Sequence, residues 1–189
     1  MKRVALFFGS FNPIHNGHIH IAQEVLRQQS ADEVQFILTP QNPHKSTTDL
    51  LPETHRWNML ELALVQYPHM TPNDVELHML KPSYTAATLK KLTQGNMDCT
   101  FLLLLGADSA ATLSSWKNAD YLMDFPRIVY PRKGTDLEKK HNDIVLQNVT
   151  LQEISATQIR SERDKDVLKN WLPDAVFAYA QTHSLFNGI

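Results

Sequence analysis

A chain of 189 residues with 42% hydrophobic and 20% charged residues has the apolar material for one globular core and is too short for two large domains. Its formal net charge of −2 lacks the basic excess of a protein that binds nucleic-acid polymers, although a local basic cluster can still hold a small phosphorylated ligand. A single cysteine, Cys99, excludes an internal disulfide and fits a reducing compartment.

The predicted elements alternate along the chain. Val4 to Phe8 is a continuous apolar run closed by Gly9-Ser10, the pattern of a strand buried on both faces. From Gly17 to Gln29, Ile19, Ala22 and Leu26 share a helical face beside Ile21 and Val25. Val34 to Leu38 is a second strand, stopped by Thr39-Pro40, and strand–helix–strand at this spacing is a βαβ unit that forces a parallel sheet. Glu53 to Gln66 reads as helix, with Trp57, Leu60 and Leu64 in register, and a weaker strand is expected near Val75 to Leu77. Ser83 to Leu92 is helical, and Thr100 to Leu105 is the clearest buried strand, with Cys99 a small buried side chain at its head. Arg127 to Tyr130 is a fifth strand, Arg132 to Asp143 a surface loop, and Val149 to Leu151 a sixth strand. Pro173 suits a first helical turn, followed by the apolar face Val176, Phe177 and Ala180. The sum is an α/β fold, a Rossmann-like doubly wound parallel sheet, in a single domain over residues 1–189. Neither the first apolar run nor Phe101 to Leu105 can span a membrane or serve as a signal-peptide core, so a cytoplasmic protein without a membrane partner is expected. Nothing in the sequence sets the oligomeric state, a homo-oligomer included.

The segment from Gly9 to His18, Gly-Ser-Phe-Asn-Pro-Ile-His-Asn-Gly-His, lies between the first strand and the first helix. Ligands of open parallel sheets bind outside the carboxyl ends of the strands, and a helix N-terminus there favours an anion. Gly9 lets a phosphate approach the backbone, and His15 and His18 can both point at it, offering imidazole N–H donors to a polyphosphate and to the charge of a leaving pyrophosphate. A metal pair lacks a third ligand at motif spacing, so no protein metal site is expected, and a purely structural histidine pair does not suit this Gly-Ser-Phe-Asn-Pro setting. The segment matches neither the P-loop nor the Gly-x-Gly-x-x-Gly dinucleotide pattern.

This segment resembles the Gly-Ser/Thr-Phe-x-Pro-x-His-x-Gly-His signature of the HxGH nucleotidyltransferase superfamily, whose fold is a Rossmann-like α/β sandwich. Ile154 to Arg160, Ile-Ser-Ala-Thr-Gln-Ile-Arg, is similar to that superfamily's Ile-Ser-x-Thr-x-Ile-Arg motif, a second phosphate clamp of hydroxyls and an arginine fork. Asn42-Pro43-His44-Lys45, Arg56 to Leu60, Lys81-Pro82-Ser83-Tyr84-Thr85, Gly106-Ala107-Asp108-Ser109 with Leu113 and Trp116, and Pro131-Arg132 resemble segments of bacterial nicotinate-nucleotide adenylyltransferases. Ala86-Ala87-Thr88-Leu89 departs from the pattern, because many members carry an acid before the Thr-Leu pair.

The resemblance, which runs from Val4 to about Tyr179, implies transfer of AMP from ATP to nicotinate mononucleotide, giving deamido-NAD and pyrophosphate with Mg²⁺ on the triphosphate. It implies charge stabilisation by His15, His18, Lys45 and Arg160, a phosphate cradle of Gly9, Ser10, Phe11, Ser155 and Thr157, and a mononucleotide site of Thr85, Asp108 and Trp116, whose indole would stack on the pyridine. The alternatives are a transferase of the same superfamily with another small phosphorylated substrate, such as phosphopantetheine or nicotinamide mononucleotide, and a non-catalytic nucleotide-binding module.

Overall fold

The apolar runs become the middle of a six-stranded, all-parallel sheet ordered β3-β2-β1-β4-β5-β6. The computed structural model describes residues 1–41, 49–96, 98–135 and 143–189. Along the chain run β1 (Lys2–Gly9), α1 (Asn16–Arg27), β2 (Glu33–Leu38), α2 (Glu53–Leu64), β3 (Met70–Asn73), a 3₁₀ turn (Val75–His78), α3 (Thr85–Gly95), β4 (Cys99–Gly106) and α4 (Ala107–Thr112). A second 3₁₀ turn (Leu113–Ser115), α5 (Ala119–Met123), β5 (Arg127–Tyr130), β6 (Asp143–Val145), α6 (Ala156–Ser161), α7 (Lys165–Trp171) and α8 (Asp174–Thr182) complete it.

Strand alternation divides the core in two. Ala5 and Phe7 of β1 face the same side as Val34 and Phe36 of β2 and Leu102 and Leu104 of β4, and pack under α1, α2 and α8. Val4 and Leu6 face the other side with Ile37, Phe101, Leu103 and Leu105, under Ala86 and Leu89 of α3 and Leu122 of α5. The doubly wound parallel sheet read from the sequence is therefore the fold observed.

Four local readings need correction. Val75 to Leu77 is a 3₁₀ turn, because the Asn73 side chain accepts the Val75 N–H at 2.9 Å and bends the chain out of the sheet. The edge strand is instead Met70–Asn73, where Pro72 is tolerated because one side of the strand has no strand partner among the described residues. The sixth strand is Asp143–Val145, at the end of the segment expected to be loop, and not 149–151. It is tied to β5 by a buried ion pair from Arg127 Nε to Asp143 Oδ1 at 2.6 Å, between residues directly opposite in register. Cys99 does head β4 but is half-buried.

The chain winds outward from β1 through β2 to β3, then returns to the other side of β1 and winds outward through β4, β5 and β6. The loops after β1 and β4 thus leave neighbouring strand ends towards opposite faces and open a crevice at the topological switch point.

Candidate active site

That crevice is a cavity of about 410 Å³. Gly9, Ser10, Phe11, His15 and His18 line it from β1 and the turn into α1. Thr85 enters from the start of α3, Asp108 and Trp116 from the segment after β4, and Ser155 and Thr157 from the start of α6. Ten of the twelve residues singled out from the sequence therefore meet at one place. Arg160 does not line the cavity, and Lys45 lies outside the described residues together with Asn42, Pro43 and His44.

The turn after β1 is built by side-chain packing. Phe11 has a left-handed backbone (φ 39°), an unfavourable conformation for a bulky residue, costing about 1–3 kcal/mol. Burial of its ring offsets that cost: it packs at 5.9 Å from Phe7, 5.5 Å from Phe36 and 5.2 Å from His18, between ring centres. Phe11 can therefore offer a phosphate only backbone. A Cβ on Gly9 would lie 2.9 Å from that ring, so Gly9 makes room for Phe11 rather than only for a ligand. A Cβ on Gly17 would lie 3.0 Å from the His15 ring.

Polar side chains then fix the turn's backbone. Arg56, 1% exposed, donates from Nη1 to the carbonyls of Ser10 and Thr39, from Nη2 to that of Pro40 and from Nε to that of Leu51, each at 2.9 Å. Asn12, also buried, donates to the Asp49 carbonyl at 2.8 Å and accepts from the Leu51 N–H at 3.0 Å. Arg160 donates to the Asn12 carbonyl at 2.8 Å and to Thr157 Oγ1 at 3.4 Å. Its guanidinium braces the turn from behind.

His15 caps α1 with extended backbone, and its ring stacks on that of His18 at 3.7 Å between centres, tilted by 32°. The His15 N–H donates to His18 Nδ1 at 3.3 Å, so a neutral His18 carries its proton on Nε2. His15 is 6% exposed, and its buried Nδ1 has no hydrogen-bond partner among the described residues, an unusual condition in a cavity wall. Burial, and to a lesser extent the Arg132 cation, push its pKa down from 6.5 to about 3, which makes it a neutral imidazole near pH 7.

The remaining walls divide by chemistry. Ser155 caps α6, accepting from the Gln158 N–H at 3.2 Å, and Thr157 is exposed. The Asp108 carboxylate lies over Gly106, where a Cβ would come within 2.5 Å of its Oδ1, and Arg132 Nε sits 3.7 Å from the same oxygen. Trp116 is half-buried: one side packs on the second core and the residue also lines the cavity.

Sequence reasoning assigned no role to Arg56, Glu76 or Arg132. Arg56 falls on the buried stripe of α2 with Met59, Leu60 and Ala63, where a charge has to find partners inside the protein, and this helical spacing was the available signal. Trp57, placed on that stripe from the sequence, is half-buried beside it. Glu76 is 1% exposed, lines the cavity, and accepts from Ser83 and Thr88 hydroxyls at 2.7 Å; burial raises its pKa. Its 3₁₀ setting hid it. Arg132 follows β5 at the ligand edge and lines the cavity beside Asp108.

Fold and site together define a doubly wound α/β protein with its cavity at the strand switch point, where ligands of such sheets bind. The cytidylyltransferase-like family profile matches residues 6–162. A Flavobacterium psychrophilum protein named "Probable nicotinate-nucleotide adenylyltransferase" is 35% identical over 97% of this chain and 98% of its own length. A Bacteroides thetaiotaomicron protein of the same name is 34% identical over 96% of this chain and 92% of its own length. The fold is shared with the solved Plasmodium falciparum nicotinic acid mononucleotide adenylyltransferase complexed with NaAD, at a TM-score of 0.85, 19% identity, and coverage of 100% of this chain and 99% of that one. The chain belongs to the cytidylyltransferase-like family of nucleotidyltransferases, among relatives named as nicotinate-nucleotide adenylyltransferases. Among the described residues, no helix is long and apolar enough to cross a membrane.

Proposed function

We propose that this chain, as one catalytic unit, transfers AMP from ATP to nicotinate mononucleotide, giving nicotinate adenine dinucleotide and pyrophosphate in NAD biosynthesis. The observation that carries this reading is a single cavity with the stacked His15–His18 pair between two walls. One is Ser155 and Thr157; the other is Thr85, Asp108 and Trp116. Two nucleotides fit such a plan, meeting at the histidines.

The reaction needs no protein nucleophile. An oxygen of the mononucleotide's 5′-phosphate, already anionic, attacks the α-phosphorus of ATP. The bond from that phosphorus to the bridging oxygen breaks, and its electron pair leaves on pyrophosphate. What the protein supplies is alignment and stabilisation of charge as it develops. His18 donates from Nε2 and His15 from its own ring N–H to the phosphate oxygens. Arg132 adds a cation beside His15, and Lys45 is assigned the same task. Ser10, Ser155 and Thr157 hold phosphate oxygens. Arg160 acts through the Asn12 carbonyl, holding the turn in register, as a positioning residue.

Among the described residues, no three His, Cys, Asp or Glu side chains are grouped to cage a metal. The donor set at the cavity, one exposed carboxylate at Asp108 with hydroxyls and imidazoles, suits a hydrated Mg²⁺ held mainly by the triphosphate, which would supply charge neutralisation. The test is to incubate the protein with ATP, Mg²⁺ and nicotinate mononucleotide and to follow pyrophosphate and dinucleotide together. Equal amounts of both are expected. Pyrophosphate without dinucleotide, or neither, contradicts the assignment.

A further inference from the structure

A second histidine pair lies away from the cavity, where the first turn of α2 meets the end of α8. The rings of His55 and His183 stand 5.2 Å apart between centres, with their planes 56° from each other. Two imidazoles on one tetrahedral ion, each bound through nitrogen at about 2.0–2.1 Å, have ring centres about 5 Å apart. The pair in the cavity differs: His15 and His18 stack at 3.7 Å with planes 32° apart, the geometry of ring packing. The Tyr179 ring lies 4.3 Å from that of His183 and holds it beside His55. The Tyr179 hydroxyl oxygen lies 3.0 Å from His55 Nδ1 and accepts from Asn58 Nδ2 at 2.9 Å. His55 Nε2 and both ring nitrogens of His183 have no hydrogen-bond partner among the described residues, and His183 is exposed.

We propose that His55 and His183 form a binding site for a divalent transition-metal ion, which ties α2 to α8. The class of ion follows from the donors: two imidazoles suit Zn²⁺, Ni²⁺ or Cu²⁺ and offer little to Mg²⁺, which takes oxygen ligands. An ion on His55 Nε2 fixes the proton of that ring on Nδ1, where the Tyr179 oxygen is placed to accept it. Such an outer partner is what a metal-bound imidazole ordinarily has. Two protein ligands leave the remaining positions to water, so the site is open and exchangeable rather than a structural cage. It is separate from the Mg²⁺ on the triphosphate and does not depend on the reaction proposed above. Arg56 follows His55 in α2 and holds the Ser10 carbonyl of the turn after β1. An ion joining α2 to α8 therefore stabilises the layer from which that brace extends, because only the folded chain holds both ligands in place.

The experiment titrates Zn²⁺ into chelator-treated, full-length protein without nucleotides, in the wild type, His55→Gln and His183→Gln. Histidine ring resonances and the urea unfolding midpoint are followed together. One Zn²⁺ per chain is expected at this pair, with the His55 and His183 rings shifting along one common saturation curve. Each substitution should weaken that binding roughly tenfold or more, at least the loss usual when only the outer partner of a metal-bound histidine is removed. The urea midpoint of the wild type should rise with Zn²⁺ concentration, and those of both variants should stay flat over the same range. His183 is exposed, so His183→Gln should match the wild type in metal-free stability and decides the matter if His55→Gln folds poorly. Three results overturn the site: His55 and His183 titrating independently, as adventitious ions on separate side chains; Zn²⁺ shifting the His15 and His18 rings alone; or variants that bind as the wild type does. None of them bears on adenylyl transfer, which its own products test.

Discussion

The two ends of the cavity are built differently. The turn from Gly9 to His15 is over-determined: Arg56 holds Ser10, Arg160 holds Asn12, Asn12 holds residues 49 and 51, and the Phe11 ring locks a strained backbone into the core. The end proposed to hold the pyridine is assembled from a half-buried indole, an exposed lysine and a tyrosine face, with a cation–π contact between the last two. The difference follows from the work each end is assigned. Stabilising charge at a reacting phosphorus demands groups fixed before the substrate arrives, because a donor that must reorganise loses most of its value. Recognising a flat ring and one charge tolerates adjustable side chains. Loss of a brace should therefore damage stability and turnover together, whereas changes at the pyridine end should alter substrate affinity with less damage to the fold.

The largest effect is expected at Arg56. Arg56→Met leaves the buried carbonyls of Thr39 and Pro40 and the part-buried ones of Ser10 and Leu51 without this donor, and should cost about 3 kcal/mol or more of stability. Urea unfolding measures it, and a loss below about 1 kcal/mol would show that the brace is not what holds the turn. Next comes His18→Ala, which should lower turnover roughly 10²–10³-fold while moving the melting temperature little. Near-normal turnover in a folded variant would remove His18 from the chemistry.

At the other end, Trp116→Ala should raise the dissociation constant of nicotinate mononucleotide about five- to a hundredfold and leave that of ATP within about twofold, with stacking worth about 1–3 kcal/mol. Because Trp116 also packs on the core, some loss of melting temperature is expected, and Trp116→Phe should recover most of the affinity. Separate titrations of the two ligands decide it, since equal weakening would make the indole a structural residue.

The smallest effect is a pH slope. His15 has a folded pKa of about 3 against an ordinary value of 6.5, so between these values the unfolded chain binds the extra proton. Its contribution to stability is complete above about 6.5 and is lost as pH falls towards 3, at up to about 1.4 kcal/mol per pH unit. Denaturant titrations of wild type and His15→Gln from pH 7 to 4 should show a shallower slope in the variant. Parallel slopes would mean that His15 is not buried neutral.

What was legible in the sequence follows the same division between backbone pattern and long-range contact. Strands buried on both faces announce themselves as apolar runs, so β1, β4 and β5 were readable, and helix α1 showed its face through Ile19 and Ala22. The edge strands were not, because Met-Thr-Pro-Asn and Asp-Ile-Val are too short and mixed to stand out, and what places them is pairing to β2 and β5. At the site, the His15 and His18 spacing between strand and helix was enough to locate the cavity. The part of Arg56 was hidden because its four carbonyl partners come from three separate stretches of chain. Arg160 read as a phosphate fork, since a guanidinium bound to a carbonyl more than a hundred residues away has the same local sequence as one bound to a ligand.

In the proposed chemistry the mononucleotide's own phosphate attacks ATP in this cavity, with the protein aligning and stabilising but never bonding to the transferred group. Nicotinate mononucleotide labelled with ¹⁸O in its phosphate tests this directly, by mass analysis of both products after reaction with unlabelled ATP. All label should stay in the dinucleotide, including its bridging oxygen, and pyrophosphate should carry none. Label in pyrophosphate, or an AMP group found covalently attached to the protein and competent to proceed, would contradict it.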